Sequence, residues 1–253
     1  MSGPLILCYH AVSAEWPAAL SITPRRLRAQ VELLLRRGYR PVRFSEAVAA
    51  PAGRRTLAIT FDDAYRSVRT LAGPILAELG APATVFAPTS FIGSEEPMLW
   101  PGIEQWHETP HRSELVPMSW AELTELAELG WEIGSHTHTH PHLTQLSDAR
   151  IAEELQLSRE RCQQALEQPC TSLAYPYGDH DARVMRAAGE AGYLAAATLP
   201  VRLDDPEPLR WPRVGVYYGD GPLRFRLKAS AALRGLRRSR LLAALYEIRA
   251  GRA

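Results

Sequence analysis

Four of the eight histidines in this 253-residue chain lie in one short segment. His136, His138, His140 and His142 occupy alternate positions directly after a predicted buried strand. Neutral imidazole is a common ligand for divalent metal ions, and two imidazoles with one carboxylate make a three-ligand site that keeps a position open. The spacing alone allows two ligand pairs, His136 with His140 or His138 with His142. A solvated, histidine-rich loop is the alternative interpretation.

Two adjacent carboxylates, Asp62 and Asp63, directly follow the predicted strand over residues 56–61. Carboxylates this close repel each other, which raises the pKa of one of them unless a cation offsets the charge. A bound metal would remove the conflict, since one Asp could ligate it while the other stays near enough to activate water. The alternative is an Asp pair that caps a helix over residues 64–79. Beside the histidine segment, a metal site is the favoured interpretation.

Short apolar runs alternate with longer helical patterns along the chain, which favours βα units around a parallel sheet. The predicted strands cover residues 5–9, 56–61, 83–87, 131–134, 171–175, 194–198 and 211–216. The predicted helices cover residues 23–38, a stretch that ends near residue 80, and residues 119–130, 147–166 and 182–191. Residues 88–118 contain five Pro, two Gly and two Trp, and are therefore predicted to form a long loop.

Polar groups follow four of the predicted strands at the point where each strand ends. They are His10, the pair Asp62 and Asp63, His136, and Tyr177. In parallel α/β folds the chemistry collects at the carboxyl ends of the strands, in the loops that lead to the helices. We therefore expect these groups to converge in space.

Three motifs in this order resemble those of the polysaccharide deacetylase family, the NodB-homology or family 4 carbohydrate esterases. They are Thr60-Phe61-Asp62-Asp63, His136-Thr137-x-x-His140-Pro141 and Tyr175-Pro176-Tyr177-Gly178. The similarity spans roughly residues 5–216. It implies a single-domain α/β fold, a distorted (β/α)7 barrel. It also implies N-acetylated glycan substrates such as chitin, peptidoglycan or poly-N-acetylglucosamine.

The resemblance further implies roles for individual residues. Asp63, His136 and His140 would hold a divalent metal ion, and the proline after the second histidine favours this pair over the other. Asp62 would be the general base, and the backbone N–H of Tyr177 would help to form an oxyanion hole. Zinc suits two imidazoles and one carboxylate, and Co²⁺ or Ni²⁺ would fit the same ligands.

Two departures from the family pattern need replacements from elsewhere in the chain. Ala174 stands where the family often has an Arg that orients the catalytic Asp, and Arg213 is the candidate replacement, with a surface Arg as the alternative. No histidine follows His180, so the usual general acid is missing. His10 is the candidate acid, with a structural histidine as the alternative. Both replacements resemble the poly-N-acetylglucosamine deacetylase branch.

The resemblance predicts an enzyme that hydrolyses the N-acetyl group of an amino-sugar glycan or glycan precursor and releases acetate. One alternative is a deformylase or another C–N hydrolase acting on a lipid-linked sugar. A second alternative, from a different class, is a glycan-binding relative without catalytic activity. The intact Asp and His residues favour the enzyme, while the displaced acid and the missing Arg leave the binding protein open.

Charge is distributed unevenly although the net charge is only +1, a value that does not indicate nucleic-acid binding. Residues 222–253 carry nine Lys and Arg against one Glu, mixed with leucines in a helical pattern. We expect a barrel over residues 1–221 followed by a basic amphipathic tail. The tail could contact an anionic membrane or a lipid-linked amino sugar, or it could simply pack on the barrel.

The amino-terminal residues lack the basic and apolar regions of a signal peptide. The sequence therefore predicts a cytoplasmic location, with peripheral contact at the inner face of the membrane as a possibility that the basic tail raises.

Overall fold

The computed structural model describes residues 3–50, 55–200, 203 and 205–238. Strands and helices alternate along most of this length, as the sequence pattern predicts. The strands are β1 (Leu5–Tyr9), β2 (Ala11–Val12), β3 (Ser21–Ile22), β4 (Arg40–Val42), β5 (Thr56–Phe61), β6 (Thr84–Ala87), β7 (Glu132–Ser135), β8 (Ser172–Ala174), β9 (Ala195–Thr198), β10 (Trp211–Pro212) and β11 (Val214–Gly215). The α-helices are α1 (Pro24–Arg36), α2 (Phe44–Ala49), α3 (Gly73–Glu78), α4 (Trp120–Glu128), α5 (Asp148–Leu166), α6 (Ala182–Glu190), α7 (Pro222–Lys228) and α8 (Ala231–Arg238).

The main sheet closes on itself to form a barrel of parallel strands. Its order is β10-β9-β8-β7-β6-β5-β1-β11, and only Arg213 separates β10 from β11 in the chain. One continuous segment therefore pairs with β9 on one side and with β1 on the other. The Arg213 N–H donates to Thr198 O at 3.1 Å, and the Val216 N–H donates to Cys8 O at 2.9 Å. Counted once, this segment makes seven strands and confirms the predicted distorted (β/α)7 barrel.

The sheet branches at β5, which is one source of the distortion. β4 pairs with the first half of β5, up to Ala58, and β6 pairs with its end, from Thr60 onward. The sequence pattern does not predict β4, because this strand has only three residues and includes Pro41.

Small residues inside the barrel leave room for two large side chains. Phe86 packs in a buried cluster with several alanines, and the Arg213 guanidinium lies 5.5 Å from its ring centre. The alanines in this cluster include Ala58, Ala174 and Ala197. A Cβ atom at Gly134 would lie 2.7 Å from the Phe86 ring, so β7 must have glycine there. The packing of these small residues lets an arginine cross the interior.

Four of the eight described α-helices begin at a capping side chain that the sequence contains. Thr23 caps α1, where its hydroxyl accepts from the Arg26 N–H at 3.3 Å, and a proline follows at the first helical position. Ser119 and Glu122 form the predicted capping box of α4. These caps fix where each helix starts, and hence the length of each loop at the rim of the barrel.

The helix predicted directly after β5 starts differently. Asp63 has a φ of 70°, in the left-handed region, and begins an irregular turn. The helical backbone that follows includes a π-helical stretch, Val68–Ala72, before α3. The Asp pair is therefore not the N-cap that the alternative interpretation proposed, and both side chains are free for other contacts.

The first part of the basic tail packs on the barrel. Phe225 of α7 joins the main hydrophobic cluster, and the Lys228 ammonium lies 2.6 Å from the buried Asp220 carboxylate. The remainder of the predicted tail, residues 239–253, lies outside the described residues. Among the described helices, none has the length and apolar character that crossing a membrane requires.

We expect the Gly134→Ala variant to be less stable by about 1–3 kcal/mol, because the added methyl group overpacks the barrel interior. Its Cβ would lie 2.7 Å from the Phe86 ring and 2.9 Å from Ser172 O. Denaturant unfolding would measure the change. Gly235→Ala is the control, since its Cβ meets nothing within 4 Å. Equal stability of the two variants would contradict the packing argument.

Candidate active site

Two imidazoles and one carboxylate converge at the carboxyl ends of β5 and β7. Asp63 Oδ1 lies 3.4 Å from His136 Nε2 and 3.3 Å from His140 Nε2. All three side chains are buried. The structure thus brings together the three residues that the resemblance implied as metal ligands.

The other two histidines of the segment point elsewhere. His138 Nδ1 lies 3.0 Å from the Thr89 hydroxyl. The His142 ring stacks on Tyr177 with 3.8 Å between ring centres, and its Nδ1 is 3.7 Å from Asp179. Of the two pairs that the spacing allowed, only His136 and His140 reach Asp63.

The hydrogen bond of His136 Nδ1 determines whether the other ring nitrogen, Nε2, carries a proton. His136 Nδ1 lies 2.8 Å from Ala174 O, and because a carbonyl can only accept, this nitrogen carries a proton. In the neutral ring, Nε2 then turns a lone pair towards the Asp63 carboxylate. Burial favours the neutral ring, but Asp62 and Asp63 outweigh it and raise the pKa of His136. A proton or a metal cation between His136 Nε2 and Asp63 Oδ1 would satisfy both atoms.

The separations among the three donor atoms fit a divalent ion. Nitrogen and oxygen ligands about 2.0–2.1 Å from a tetrahedral zinc ion lie about 3.4 Å apart. The two separations that involve Asp63 Oδ1, 3.4 and 3.3 Å, agree with this value. The donor set, with two neutral nitrogens and one anionic oxygen, is also one that zinc prefers. These residues therefore fit a metal site.

The backbone around this group adopts left-handed conformations that cost energy outside glycine. Asp63, Ala64, Thr137, His140 and Tyr177 have φ values of 70°, 53°, 67°, 59° and 59°. Among the described non-glycine residues, only one further position has positive φ, and it lies at the carboxyl end of α5. Concentration of strain at one place is typical of a functional site.

A buried ion pair holds Asp62, the other carboxylate of the Asp pair. Arg213 Nη1 and Nη2 each lie 2.6 Å from an oxygen of Asp62, and Nη1 also donates to the Thr60 hydroxyl at 3.0 Å. Arg213 is fully buried, so the alternative of a surface arginine does not apply. Burial opposes ionisation of Asp62, but the guanidinium outweighs it and holds the pKa of this carboxyl below its usual range. Asp62 is therefore an anion at neutral pH.

His10 lies beside the same carboxylate. Cys8, His10 and Asp62 each offer a polar atom within 4.8 Å of the others, and the Cys8 thiol donates to Asp62 Oδ2 at 3.4 Å. His10 is 8% exposed, and its Nδ1 has no hydrogen-bond partner among the described residues. Burial lowers the pKa of His10, although Asp63 and Asp62 oppose the effect. The sequence does not predict the Cys8 contact, because this residue looks like an ordinary part of an apolar strand.

The long loop over residues 88–118 and the turn after β8 form one wall of the site. The Trp100 ring stacks on His140 with 4.1 Å between ring centres, and the Tyr177 ring lies 4.8 Å from His140 on another side. The Tyr177 hydroxyl donates to Pro101 O at 3.2 Å, which ties the loop to the turn. The composition of residues 88–118 predicts the loop, but no spacing in the sequence marks Trp100 as a site residue.

A family profile described as polysaccharide deacetylase matches residues 49–196, which is more than half of the chain. With this match, the barrel and the Asp–His–His group, the chain belongs to the polysaccharide deacetylase family. The match includes the Asp pair, the histidine segment and Tyr177. His10 and Arg213 lie outside it, and their positions are known only from the structure.

Two relatives illustrate the range of this family. YxkH of Bacillus subtilis (strain 168), named as a polysaccharide deacetylase, is 26% identical over 198 residues, which are 76% of this chain and 63% of YxkH. A poly-beta-1,6-N-acetyl-D-glucosamine N-deacetylase of Staphylococcus aureus (strain MRSA252) is 28% identical over 148 residues, 54% of this chain and 46% of that protein. The chain spans less than two thirds of the length of either relative.

Solved structures share the fold over nearly the whole chain. IcaB from Ammonifex degensii has a TM-score of 0.75 at 22% identity, over 92% of this chain and 98% of that one. Streptococcus pyogenes deacetylase PplD, in complex with acetate, has a TM-score of 0.74 at 21% identity, over 90% and 99%. At these identities the likeness concerns the fold.

We expect Arg213→Ala to reduce the free energy of unfolding by about 3–5 kcal/mol, because it leaves the buried Asp62 carboxylate without its partner. Arg210→Ala is the control, since this nearby arginine pairs with the exposed Glu207 and should cost less than about 1 kcal/mol. Denaturant unfolding of both variants would measure the difference. A loss at Arg213 as small as that at Arg210 would show that the ion pair does not hold the site.

Proposed function

We propose that the chain hydrolyses the N-acetyl group of an amino-sugar glycan, releasing acetate, with a divalent ion held by Asp63, His136 and His140. The observation that carries this proposal is that two adjacent carboxylates have different environments. Asp63 faces two imidazoles, and a cation would complete this group of ligands. Asp62 is held by an ion pair with Arg213. One carboxylate is thus suited to bind an ion and the other to accept a proton.

The ion, when bound, would polarise the amide carbonyl and lower the pKa of water. Zinc is our choice for this donor set, and cobalt or nickel would also fit. Asp62 is ionised and cannot turn away, because both of its oxygens accept from Arg213. It is therefore placed to take the proton of the attacking water. In this proposal, Arg213 orients the base and keeps it charged.

Two further groups take part in the proposed reaction, one as a proton donor and one as a hydrogen-bond donor. The departing sugar amine needs a proton, and we assign its delivery to His10, which lies in the same cluster as Asp62. The developing oxyanion needs a donor, and we assign the backbone N–H of Tyr177. Tyr177 lies at the rim beside His140, in a turn whose positive φ sets the direction of its peptide groups.

The substrate class is inferred from the relatives. The Staphylococcus aureus proteins are named as deacetylases of poly-beta-1,6-N-acetyl-D-glucosamine, and we propose an acetylated amino-sugar polymer of this kind here. A lipid-linked amino sugar, membrane contact through the basic tail and a cytoplasmic location stay predictions. The exposed Leu223 and Leu227 beside Arg224 and Arg226 on α7 are compatible with such a contact.

We expect the metal-loaded protein to release acetate from N-acetylglucosamine oligomers, and to lose this activity after chelation and regain it with Zn²⁺, Co²⁺ or Ni²⁺. Asp62→Asn should keep the metal and lower kcat by about 10²- to 10⁴-fold, because the amide cannot accept the proton. Acetate assay and elemental analysis would measure both effects.

Asp148→Asn is the matched control, since this exposed carboxylate pairs with Arg183 away from the site. Release of formate from an N-formylated amino sugar, with no acetate from the acetylated oligomers, would replace the proposal with a deformylase. Bound metal without turnover on any acetylated amino sugar would favour a glycan-binding protein instead. Full activity of Asp62→Asn would overturn the assignment of the base.

A further inference from the structure

The turn that carries the two ligand histidines depends on other elements for most of its backbone hydrogen bonds. Its Thr137 and His138 carbonyls accept from the N–H groups of Thr89 and Ser90 at 3.1 and 2.9 Å. Thr137 and His140 are both in the left-handed region, so the peptide groups between them have no helix or strand partner. One local bond helps, from the His140 N–H to the Thr137 hydroxyl at 3.1 Å. The N–H groups of His138 and Thr139, in the middle of the turn, need an acceptor from another element.

A single buried carboxylate on α5 supplies that acceptor. Glu154 Oε2 accepts from the His138 N–H at 2.9 Å and from the Thr139 N–H at 2.8 Å. Its Oε1 accepts from the Thr139 hydroxyl at 2.7 Å. Glu154 is 2% exposed, although neighbouring charged residues on the helix face solvent. It touches the middle of the turn, between the two ligands, and neither imidazole directly.

The chemistry of this contact suits a carboxylate. Three donors converge on two oxygens, and a carboxylate is acceptor-only, with enough lone pairs for all of them. Hydrogen bonds to a charged acceptor are shorter and about twice as strong as neutral ones. A glutamine could keep its oxygen on the two N–H groups and turn its NH₂ group to the Thr139 hydroxyl, which can also accept, so only removal of the whole side-chain end leaves the turn without its acceptor.

We propose that Glu154 is a positioning residue for the metal site, which holds the strained turn so that His136 and His140 face Asp63 before any ion binds. The inference rests on the proposed function, because it concerns the same three ligands. α5 thereby acts as a rigid support for the rim of the barrel. Groups behind metal ligands commonly change metal affinity by about 10- to 100-fold when removed.

The test compares Glu154→Ala with Glu153→Ala, which removes an exposed carboxylate one residue earlier on the same helix. Zn²⁺ affinity would be measured by competition with a chelator, and the Co²⁺ absorption spectrum recorded, at a temperature far below unfolding of either variant. We expect zinc to bind about 10- to 100-fold more weakly in Glu154→Ala, with an altered cobalt spectrum. Glu153→Ala should match the wild-type protein in both measurements.

A merely structural role predicts a different result. If Glu154→Ala lowered Tm but left the zinc Kd and the cobalt spectrum unchanged, the inference would be wrong. Should that variant not fold, Thr139→Val removes one of the three hydrogen bonds and leaves the two backbone bonds. We expect it to weaken zinc binding about two- to tenfold, and unchanged binding would again contradict the inference. Failure of the wild-type protein to bind zinc would instead overturn the proposed function.

Discussion

The arrangement of this barrel follows from one constraint, the burial of two adjacent carboxylates at the end of β5. Asp62 and Asp63 are 2% and 3% exposed, so each charge needs compensation from inside the protein. The two are compensated differently. The Arg213 guanidinium neutralises Asp62 within the protein. Asp63 instead faces two imidazole nitrogens, which together with its carboxylate are suited to bind a cation. In our proposal, this difference makes Asp62 a fixed base and Asp63 an ion-binding group, although the two residues are neighbours in the chain.

Barrel closure and catalytic geometry depend on the same residue. Arg213 lies where the closing segment changes partners, and its side chain crosses an interior kept open by alanines and by Gly134. A change that disturbs closure would therefore also release Asp62. At the carboxyl end of β7, the left-handed turn around His140 is supported by a carboxylate on α5. The site is thus held at two places, by an arginine that binds Asp62 and by a glutamate that binds the turn of the two histidines.

The alternation of strands and helices and the polar groups at the strand ends could be predicted from local signals, whereas the barrel and the roles of individual residues were implied by the resemblance of the three motifs. Strand patterns, capping residues and the Asp and His spacings are all visible within a few positions. Arg213 could be proposed only as one of two alternatives, since its burial depends on how distant strands close. Cys8, Trp100 and Glu154 were missed, because an apolar strand, an irregular loop and a helix with many charges give no local sign of a partner far away in the chain. β4 was missed because its three residues form a strand only beside β5.

The most direct test of the central claim is X-ray absorption spectroscopy of the zinc-loaded protein. Our account predicts one ion per chain with only nitrogen and oxygen donors about 2.0–2.2 Å away. Two of those donors should be imidazoles, and His136→Ala should remove one of them. A sulfur donor at about 2.3 Å would place the ion beside Cys8 and Asp62 instead and contradict the account. So would a spectrum unchanged by His136→Ala.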